Sequence, residues 1–488
     1  MTQAKSPSLL DAVIPVVALI LLIALAVYLF GSDASSGPIQ IVLILGAAIA
    51  AILAVKNGHR WADLQAAMVD GISTAMGAIL ILLSVGALIG TWLMAGTVPT
   101  LIYYGLLLLD PQYFFVATCL ICAIASLATG SSWTTAGTLG VALIGVAMGL
   151  SLSPAIAAGA VISGSYFGDK MSPLSDTTNL APAVAGSELF DHIRHMAWTT
   201  GPSFLIALVL YLIIGFGADV TSDTVALQGL MTTLDASFRI TPLALIPLVV
   251  VFVLAMRKMP PLPTILLGAL LGGLLAVLLQ PEVVLAFADA DDLPTALAMT
   301  KGIWIALADG YVASTGVAEV DDLLTRGGMS SMLSTIWLVL TALAFGAVME
   351  HAGMLLRLIQ GALGMAKSTG SLVTTVALSC IGMNIVAADQ YISIVLPGKM
   401  FQAEFKRRNL EPKNLSRILE DSGTLTSPLV PWNTCGAYMA ATLGVATFAY
   451  LPFAFLNLIN PLVSILYGIT GFTITRLEPE PAAAPAPA

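Results

Sequence analysis

The stretch GDKMSPLSDTTNLAPAVAG, residues 168–186, is polar within an otherwise apolar chain. The interpretation of the fold depends on where this stretch lies. It contains Asp169, Lys170, Asp176 and Asn179 together with four hydroxyl side chains. Such a stretch either lies in a loop outside a bilayer or forms the unwound centre of a membrane helix. The rest of the sequence distinguishes the two.

The composition is that of a membrane protein. Of the 488 residues, 58% are hydrophobic and 10% are charged, against about 25% charged in a typical soluble domain. Apolar runs of roughly 17–25 residues, the length needed to cross a bilayer, recur along the chain. The first run, 9–30, is too long for the apolar core of a signal peptide and reads as the first span. These features predict an all-α polytopic membrane protein.

The apolar runs predict eight uninterrupted spans. They lie near residues 9–30, 38–55, 71–95, 197–217, 242–256, 263–279, 330–350 and 448–470. Two further apolar regions, 111–186 and 370–446, are interrupted by polar residues. With the N-terminus in the cytoplasm, most of the 19 basic residues fall on the cytoplasmic side, as the positive-inside rule requires. We therefore expect cytoplasmic N- and C-termini.

Short matches between the halves predict an internal repeat. "SPL" occurs at 172–174 and 427–429, and VGALIGTWLMAGTV (85–98) is similar to TALAFGAVMEHAGM (341–354). Each half has four uninterrupted spans and one crossing in its interrupted region, which makes five predicted crossings. Because five is an odd number, the two halves must have opposite orientations in the membrane. Inverted repeats are typical of secondary transporters.

The repeat defines the predicted domains. Residues 1–217 form the first inverted repeat, 218–241 a linker, 242–475 the second repeat and 476–488 a disordered Pro/Ala-rich tail. Each repeat is expected to hold five spans and one re-entrant hairpin.

The interrupted regions each contain a hairpin and a broken helix. The hairpins have polar tips, TGSSWTT (129–135) and MNIVAADQY (383–391). The helices that follow contain prolines, Pro173 and Pro182 in the first half and Pro428 and Pro431 in the second, which remove backbone donors. Freed backbone groups at membrane depth must face protein or a watery cavity. We therefore interpret 168–186 as the unwound centre of a membrane helix; an outside loop is the alternative.

The tips and breaks supply oxygen atoms, the ligands that hard cations prefer. The candidate ion- and proton-binding residues are Ser131, Ser132, Asp169, Ser172, Ser175, Asp176, Thr177, Thr178 and Asn179 in the first half, and Asn384, Asp389, Asp421, Ser427 and Asn433 in the second. For Na⁺ itself we predict Thr129, Ser132, Asp169, Asp176 and Asn179 as ligands.

Aspartates at membrane depth indicate a functional site. A carboxylate that holds either a proton or Na⁺ couples the two ions by competition. Asp176, Asp169 and Asp389 are the candidates, in that order. Lys170 either acts as a counter-charge that the arriving ion releases or extends to water. No Walker motif, catalytic triad or zinc-ligand spacing is present, so neither enzymatic activity nor a cofactor is expected, with Na⁺ and H⁺ as transported ions.

Several of these motifs resemble the NhaC family of Na⁺/H⁺ antiporters, which is similar to the ion transporter superfamily. They are AGTVPTLIYYG (95–105), ATGSSWTTAGTLGVAL (128–143), AGAVISGSYFGDKMSPLSDTTNLAPAVAG (158–186) and LFDHIRHM (189–196). The resemblance implies two inverted repeats, two re-entrant hairpins and a homodimer in a bacterial inner membrane. It also implies an elevator-like motion in which 111–186 and 370–446 form the transport part.

The implied activity is export of Na⁺, with Li⁺ as a further ion, against proton entry. Relatives of the NhaC family include malate–lactate exchangers and amino-acid carriers. A Na⁺- or H⁺-coupled transporter of a small carboxylate or amino acid is therefore the alternative. A channel is disfavoured because a pore does not need an inverted two-site design. The lipid bilayer is the expected partner, and no nucleic acid is expected.

Overall fold

A computed structural model describes residues 5–217, 224–364 and 366–477. Within these ranges the chain forms helices and no strand, with isolated bridges only at Tyr311–Arg326 and Leu410–Arg476.

The helices of the first half are α1 (Leu9–Phe30), α2 (Pro38–Lys56), α3 (Trp61–Thr74), α4 (Met76–Met94), α5 (Thr97–Leu108), α6 (Phe114–Thr129), α7 (Ser132–Thr135), α8 (Val141–Gly149), α9 (Pro154–Met171), α10 (Asp176–Ala185) and α11 (Leu189–Gly217). Those that follow are α12 (Thr224–Ser237), α13 (Ile246–Met256), α14 (Pro261–Leu279), α15 (Pro281–Ala288), α16 (Thr295–Ala308), α17 (Ala318–Leu324), α18 (Leu333–His351), α19 (Met354–Leu363), α20 (Thr369–Val386), α21 (Gln390–Arg407), α22 (Pro412–Leu419), α23 (Thr434–Leu443), α24 (Thr447–Tyr450) and α25 (Phe455–Thr470). Single π-helical turns occur at Ala136–Gly140, between α7 and α8, and at Glu420–Thr424, directly after α22.

The prediction of a polytopic membrane protein is confirmed. In the described ranges, eight helical segments are long and apolar enough to cross a membrane, and two bent helix pairs raise the number to as many as ten. One bent pair joins 227–237 to 242–256 at 87°, and the other joins α23 to 447–453 at 89°.

Three predicted spans have different bounds in the structure. The span near 71–95 is divided at Ala75, so that its first residues belong to α3. The span near 448–470 is wrong in its first residues, because Pro452 lies in a short 3₁₀ turn and the continuous helix begins only at Phe455; proline cannot donate the N–H that a helix interior requires. The span near 197–217 begins earlier, at Leu189, where the polar segment LFDHIRHM is already helical.

Part of the expected linker is ordered. Its residues 224–237 form α12. Residues 218–223 of the linker and 478–488 of the expected tail lie outside the described ranges.

The most extensive helix–helix contact in the first half joins α6 and α9, and it positions the polar stretch. Gly164 and Gly168 are four residues apart on α9, the small-xxx-small spacing that allows membrane helices to approach closely. A Cβ atom on Gly164 would lie 2.1 Å from the Cys119 carbonyl oxygen, and one on Gly168 would lie 2.3 Å from the Leu127 nitrogen. The C-terminal end of α9 is thereby held against the end of α6, where the first hairpin turns.

We expect Gly164→Ala to destabilise the protein by about 1–3 kcal/mol, because the added methyl group forces α6 and α9 apart. Thermal unfolding of the purified protein in detergent measures the effect as a lower Tm. Gly201→Ala is the matched control: a Cβ atom at that helical position meets nothing within 4 Å, and alanine favours a helix over glycine by up to about 1 kcal/mol. Equal Tm values for the two variants would contradict this account of the contact.

Candidate functional site

The first helix break lies between α9 and α10 and is confined to residues 172–175. The prediction that the whole of 168–186 is unwound is therefore wrong, because residues 168–171 belong to α9 and the Ser175 cap starts a new helix at Asp176. The Ser175 side chain caps α10 by accepting a hydrogen bond from the Thr178 backbone N–H. The Thr178 hydroxyl donates to the carbonyl oxygens of Asp169 and Lys170 at 3.1 and 2.9 Å. Local hydroxyl groups therefore satisfy part of the backbone that the break frees, as buried backbone groups require.

The tip of the first hairpin rests on this break. The Asp169 Oδ2 atom accepts hydrogen bonds from the Ser132 backbone N–H at 3.2 Å and from its hydroxyl at 2.6 Å. At the first residue of the break, the Ser172 hydroxyl donates to the Leu127 carbonyl oxygen at 2.9 Å. The tip and the break together hold the buried Asp169 carboxylate.

The second half has a similar junction between the tip of the α20–α21 hairpin and the residues after α22. The Asn384 side-chain amide donates to the Gly423 carbonyl oxygen at 2.7 Å and to the Thr426 hydroxyl at 2.9 Å. Asn433 in turn donates to the Asn384 side-chain oxygen at 3.1 Å. Amide groups here take the place that a carboxylate occupies in the first half.

An ion pair joins the two halves at the centre. Lys170 Nζ contacts the Asp421 carboxylate, and both side chains are fully buried. The same Asp421 Oδ1 atom accepts hydrogen bonds from the Thr199 hydroxyl at 3.1 Å and the Asn460 amide at 2.8 Å. The alternative in which Lys170 extends to water is therefore wrong, because its ammonium group is buried against a carboxylate.

Two further contacts connect the halves. The Thr177 hydroxyl donates to Glu420 Oε1 at 2.9 Å, and Glu420 is fully buried in the π-helical turn. At the first hairpin tip, the Trp133 ring stacks on Tyr438 with ring centres 3.9 Å apart, and the Tyr438 hydroxyl donates to the Trp133 carbonyl oxygen at 2.8 Å. π-Helical turns are frequent at functional sites, and this one carries both Glu420 and Asp421.

Three of the predicted site residues lie toward the edge of this cluster. Asp176 is the first residue of α10, and its side chain is exposed. Asn179 is also exposed and donates to the Ser175 carbonyl oxygen at 2.6 Å. Asp389 is half-buried and caps α21 by accepting the Ile392 backbone N–H at 2.9 Å. The structure therefore surrounds Asp169 more closely with protein than Asp176 or Asp389.

The remaining predicted ligands have local partners. Ser131 caps α7 by accepting a backbone N–H at 3.1 Å. The Thr129 and Ser427 hydroxyls donate to carbonyl oxygens of their own helical segments, at 3.5 and 2.7 Å. A hydroxyl that donates one hydrogen bond keeps lone pairs for a cation.

The pairing of Lys170 with Asp421, and the roles of Thr199 and Asn460, are not readable from the sequence. The partners come from distant parts of the chain, and Asn460 lies in a run that reads only as an apolar span. One usable signal exists: Asn457, Asn460 and Ser464 follow the i, i+3, i+7 spacing of one helix face, and all three are buried.

The charges at this centre do not balance. The buried aspartate, glutamate, lysine and arginine side chains here are Asp169, Lys170, Arg417, Glu420 and Asp421, and the two histidines His192 and His195 are buried beside them. Three carboxylates and two cations leave one negative charge when all are ionised. Uncompensated charge is costly away from water, so the cluster can hold one added monovalent cation, either a proton or a metal ion.

Comparison with known proteins agrees with a site that holds a proton or a monovalent metal ion. The model of the Na⁺/H⁺ antiporter family matches residues 164–472, which include both helix breaks and the second hairpin. The chain is 43% identical to the Na⁺/H⁺ antiporter NhaC of Alkalihalophilus pseudofirmus over 90% of its own length and 91% of that protein. It is 38% identical to the malate-2H⁺/Na⁺-lactate antiporter of Bacillus subtilis, with 96% of each chain covered.

A third relative, the arginine/ornithine antiporter ArcD of Halobacterium salinarum, is 35% identical over 98% of this chain and 95% of that protein. All three relatives are named as antiporters rather than as enzymes. The family match spans more than half of the chain, and the NhaC similarity spans nearly all of it. This multi-pass membrane protein therefore belongs to the Na⁺/H⁺ antiporter family.

Proposed function

We propose that the protein is a secondary Na⁺/H⁺ antiporter that exports Na⁺, and also Li⁺, in exchange for protons. The observation that carries the proposal is the buried cluster of three carboxylates and two cations, which needs one more positive charge. A proton and Na⁺ each supply that charge, and neither can be added while the other is bound. Because the proton and Na⁺ compete to supply this one positive charge, their fluxes are coupled, and no additional coupling mechanism is needed.

Asp169 is the proposed carrier of the exchangeable ion. It is buried at the end of α9, where the hairpin tip supplies the Ser132 hydroxyl at 2.6 Å. The Thr129 hydroxyl at the same tip and the carbonyl groups at the end of α9 provide further oxygen ligands for Na⁺, as half-helix ends do in other transporters. Asp176, exposed at the start of α10, is proposed to attract the cation at the entrance to this site.

The proposed inverted repeat is supported by the order of the helices. In each half, a 19-residue helix (α4 or α18) is followed by a glycine with positive φ and then by a shorter helix (α5 or α19). The two glycines, Gly96 (φ +77°) and Gly353 (φ +70°), come together in the match of 85–98 with 341–354 when a shift of one residue is allowed. A hairpin and a broken helix follow in both halves.

The proposed elevator-like motion is supported by contacts between the two transport parts. The Lys170–Asp421 ion pair, the Thr177–Glu420 hydrogen bond and the Trp133–Tyr438 stack all join 111–186 to 370–446. Linked at their centres in this way, the two parts would move as one body. We place the protein in a bacterial inner membrane with both termini in the cytoplasm, on the distribution of basic residues.

Asp169→Asn is expected to abolish Na⁺-driven proton flux, because an amide keeps the size of the carboxylate but cannot carry the exchangeable charge. The measurement is internal pH in proteoliposomes after NaCl is added. Asp176→Asn is the matched comparison: it should raise the KM for Na⁺ and leave the maximal rate within about twofold. If Asp176→Asn abolished exchange while Asp169→Asn retained it, the roles assigned here would be reversed.

The pH dependence of the wild-type protein provides a second test. If one proton and one Na⁺ compete for one site, lowering the pH raises the apparent KM for Na⁺, by about tenfold per pH unit in the acid limit, because protonated carrier does not bind Na⁺. The maximal rate at saturating Na⁺ stays constant as long as protonation limits only binding. Initial rates at several Na⁺ concentrations and pH values measure both quantities. An unchanged KM across the pH range would contradict competition.

Coupled transport of an organic solute is the second candidate. Two relatives are named for organic substrates, malate and lactate in one and arginine and ornithine in the other. The buried Lys170 and Arg417 could pair with a substrate carboxylate. Proteoliposomes that show no proton flux with NaCl alone, but show it when malate, lactate or arginine is added, would favour this candidate over ion exchange.

A further inference from the structure

A chain of hydrogen bonds leads from near the protein surface to a buried histidine at the start of α11. The half-buried Ser187, in the short connection between α10 and α11, donates its hydroxyl hydrogen to the Ser416 hydroxyl oxygen at 3.0 Å. Ser416 and His192 are both fully buried, and His192 Nδ1 lies 2.8 Å from the Ser416 oxygen. The chain therefore connects a partly exposed hydroxyl group with an imidazole ring inside the protein.

The hydrogen-bond pattern assigns the tautomer of His192. A hydroxyl group has one hydrogen to donate and two lone pairs that accept. The Ser416 hydroxyl donates to the Lys413 carbonyl oxygen at 3.1 Å and accepts from Ser187. Its remaining lone pair accepts the His192 Nδ1–H, which leaves a free lone pair on Nε2. That Nε2 atom has no hydrogen-bond partner among the residues that the structure describes, so it can take up a proton.

The buried ion pair lies within electrostatic range of this histidine. Lys170 and Asp421 both interact electrostatically with the His192 ring, as does His195, one turn further along α11. His192 and Thr199 are seven residues apart and share one face of α11, and the Thr199 hydroxyl donates to Asp421 Oδ1 at 3.1 Å. Asp421 Oδ2, like His192 Nε2, has no partner in the described ranges. This face of α11 thus runs from the hydrogen-bond chain to the buried cluster.

We propose that His192 is the proton-transfer residue through which the cluster exchanges its proton with the cytoplasm, by way of Ser416 and Ser187. The inference rests on the proposed Na⁺/H⁺ exchange and adds the route of the proton. The start of α22 lies beside the C-terminal segment, where the Asn414 amide donates to the Thr475 carbonyl oxygen at 2.7 Å. The outer end of the hydrogen-bond chain is therefore on the side proposed to be cytoplasmic. Histidine suits this role, because its ring accepts a proton at one nitrogen and releases one from the other.

The cluster can release its proton at a different carboxyl from the one that binds Na⁺. Coupled ionisable groups take up and lose protons as a unit, so Na⁺ entering at Asp169 expels a proton from the Asp421 carboxyl. That proton binds His192 Nε2, directly or through one water molecule. The His192 Nδ1–H bond then breaks and its proton passes to the Ser416 oxygen. Ser416 passes its own hydroxyl hydrogen to Ser187, which releases its hydrogen to water. A flip of the imidazole ring exchanges the two nitrogen atoms and restores the starting state.

A purely structural role for His192 predicts a different behaviour. Its hydrogen bond to Ser416 joins α11 to α22, and loss of that contact would slow every transport reaction together. His192→Asn separates the two roles. The asparagine amide lies near the position of the imidazole Nδ1 atom and keeps a hydrogen bond to Ser416, but an amide does not bind and release protons.

The test compares two reactions of the full-length protein in proteoliposomes. Na⁺/H⁺ exchange is followed as the Na⁺-driven change in internal pH. Na⁺/Na⁺ exchange is followed as efflux of radioactive Na⁺ against external Na⁺ at equal alkaline pH, where no net proton movement is needed. We expect His192→Asn to slow Na⁺/H⁺ exchange by at least about tenfold, because positioned proton-transfer groups typically contribute ~10²–10⁴-fold. Na⁺/Na⁺ exchange should stay near the wild-type rate.

His195→Asn is the matched control. His195 is also a buried histidine of α11, but it lies outside the hydrogen bonds that join His192 to Ser187. Both reactions of His195→Asn should stay near the wild-type rates. Loss of Na⁺/H⁺ exchange in His195→Asn to the same extent as in His192→Asn would overturn the route through Ser416.

Equal slowing of both reactions in His192→Asn, or slowing of neither, would also overturn the route and leave the proposed function intact. Absence of Na⁺-driven proton flux in the wild type would instead refute the proposed function. If His192→Asn does not fold, Ser416→Ala interrupts the same chain with a residue that favours a helix. It should show the same selective loss of Na⁺/H⁺ exchange, and an unchanged rate would contradict the inference.

Discussion

The structure depends on the requirement that ionised groups inside a membrane protein be compensated. Asp169, Glu420 and Asp421 are buried within the protein, and an isolated carboxylate inside a membrane protein is strongly disfavoured. Lys170 and Arg417 supply part of the compensation, and hydroxyl and amide groups supply hydrogen bonds. The part that remains is one positive charge, and this deficit is what a transported cation can fill.

The local backbone serves the same requirement. Interrupting α9 and α10 at residues 172–175 frees backbone groups, and the first hairpin places Ser132 against the Asp169 carboxylate. The π-helical turn after α22 turns Glu420 and Asp421 toward Thr177 and Lys170 of the other half. Close packing of α6 and α9 through Gly164 and Gly168 fixes the position of the first break. Small residues, prolines and a wide helical turn thus place the charges within hydrogen-bonding distance.

Much of this arrangement follows from the sequence, because membrane helices are constrained by length and by backbone hydrogen bonding. Apolar runs predicted α1, α2 and α14 nearly to the residue, and the prolines of 168–186 marked the first break. The Lys170–Asp421 pair could not be predicted, since it depends on how two distant helices cross. The exposure of Asp176 also could not be predicted, because it depends on how α10 is rotated about its own axis. That rotation decides whether the Asp176 side chain points toward the buried cluster or away from it. The late start of α25 depends on Pro452, which the apolar run around it concealed.

The central claim is that Na⁺ and a proton compete for one charge in the buried cluster. The most direct measurement is proton release when NaCl is added to purified wild-type protein in weakly buffered detergent solution. The account predicts saturable release approaching about one proton per chain at a pH where the cluster is protonated, with no release on adding choline chloride. Saturable Na⁺ binding without proton release would contradict it, because the two ions would then occupy independent sites.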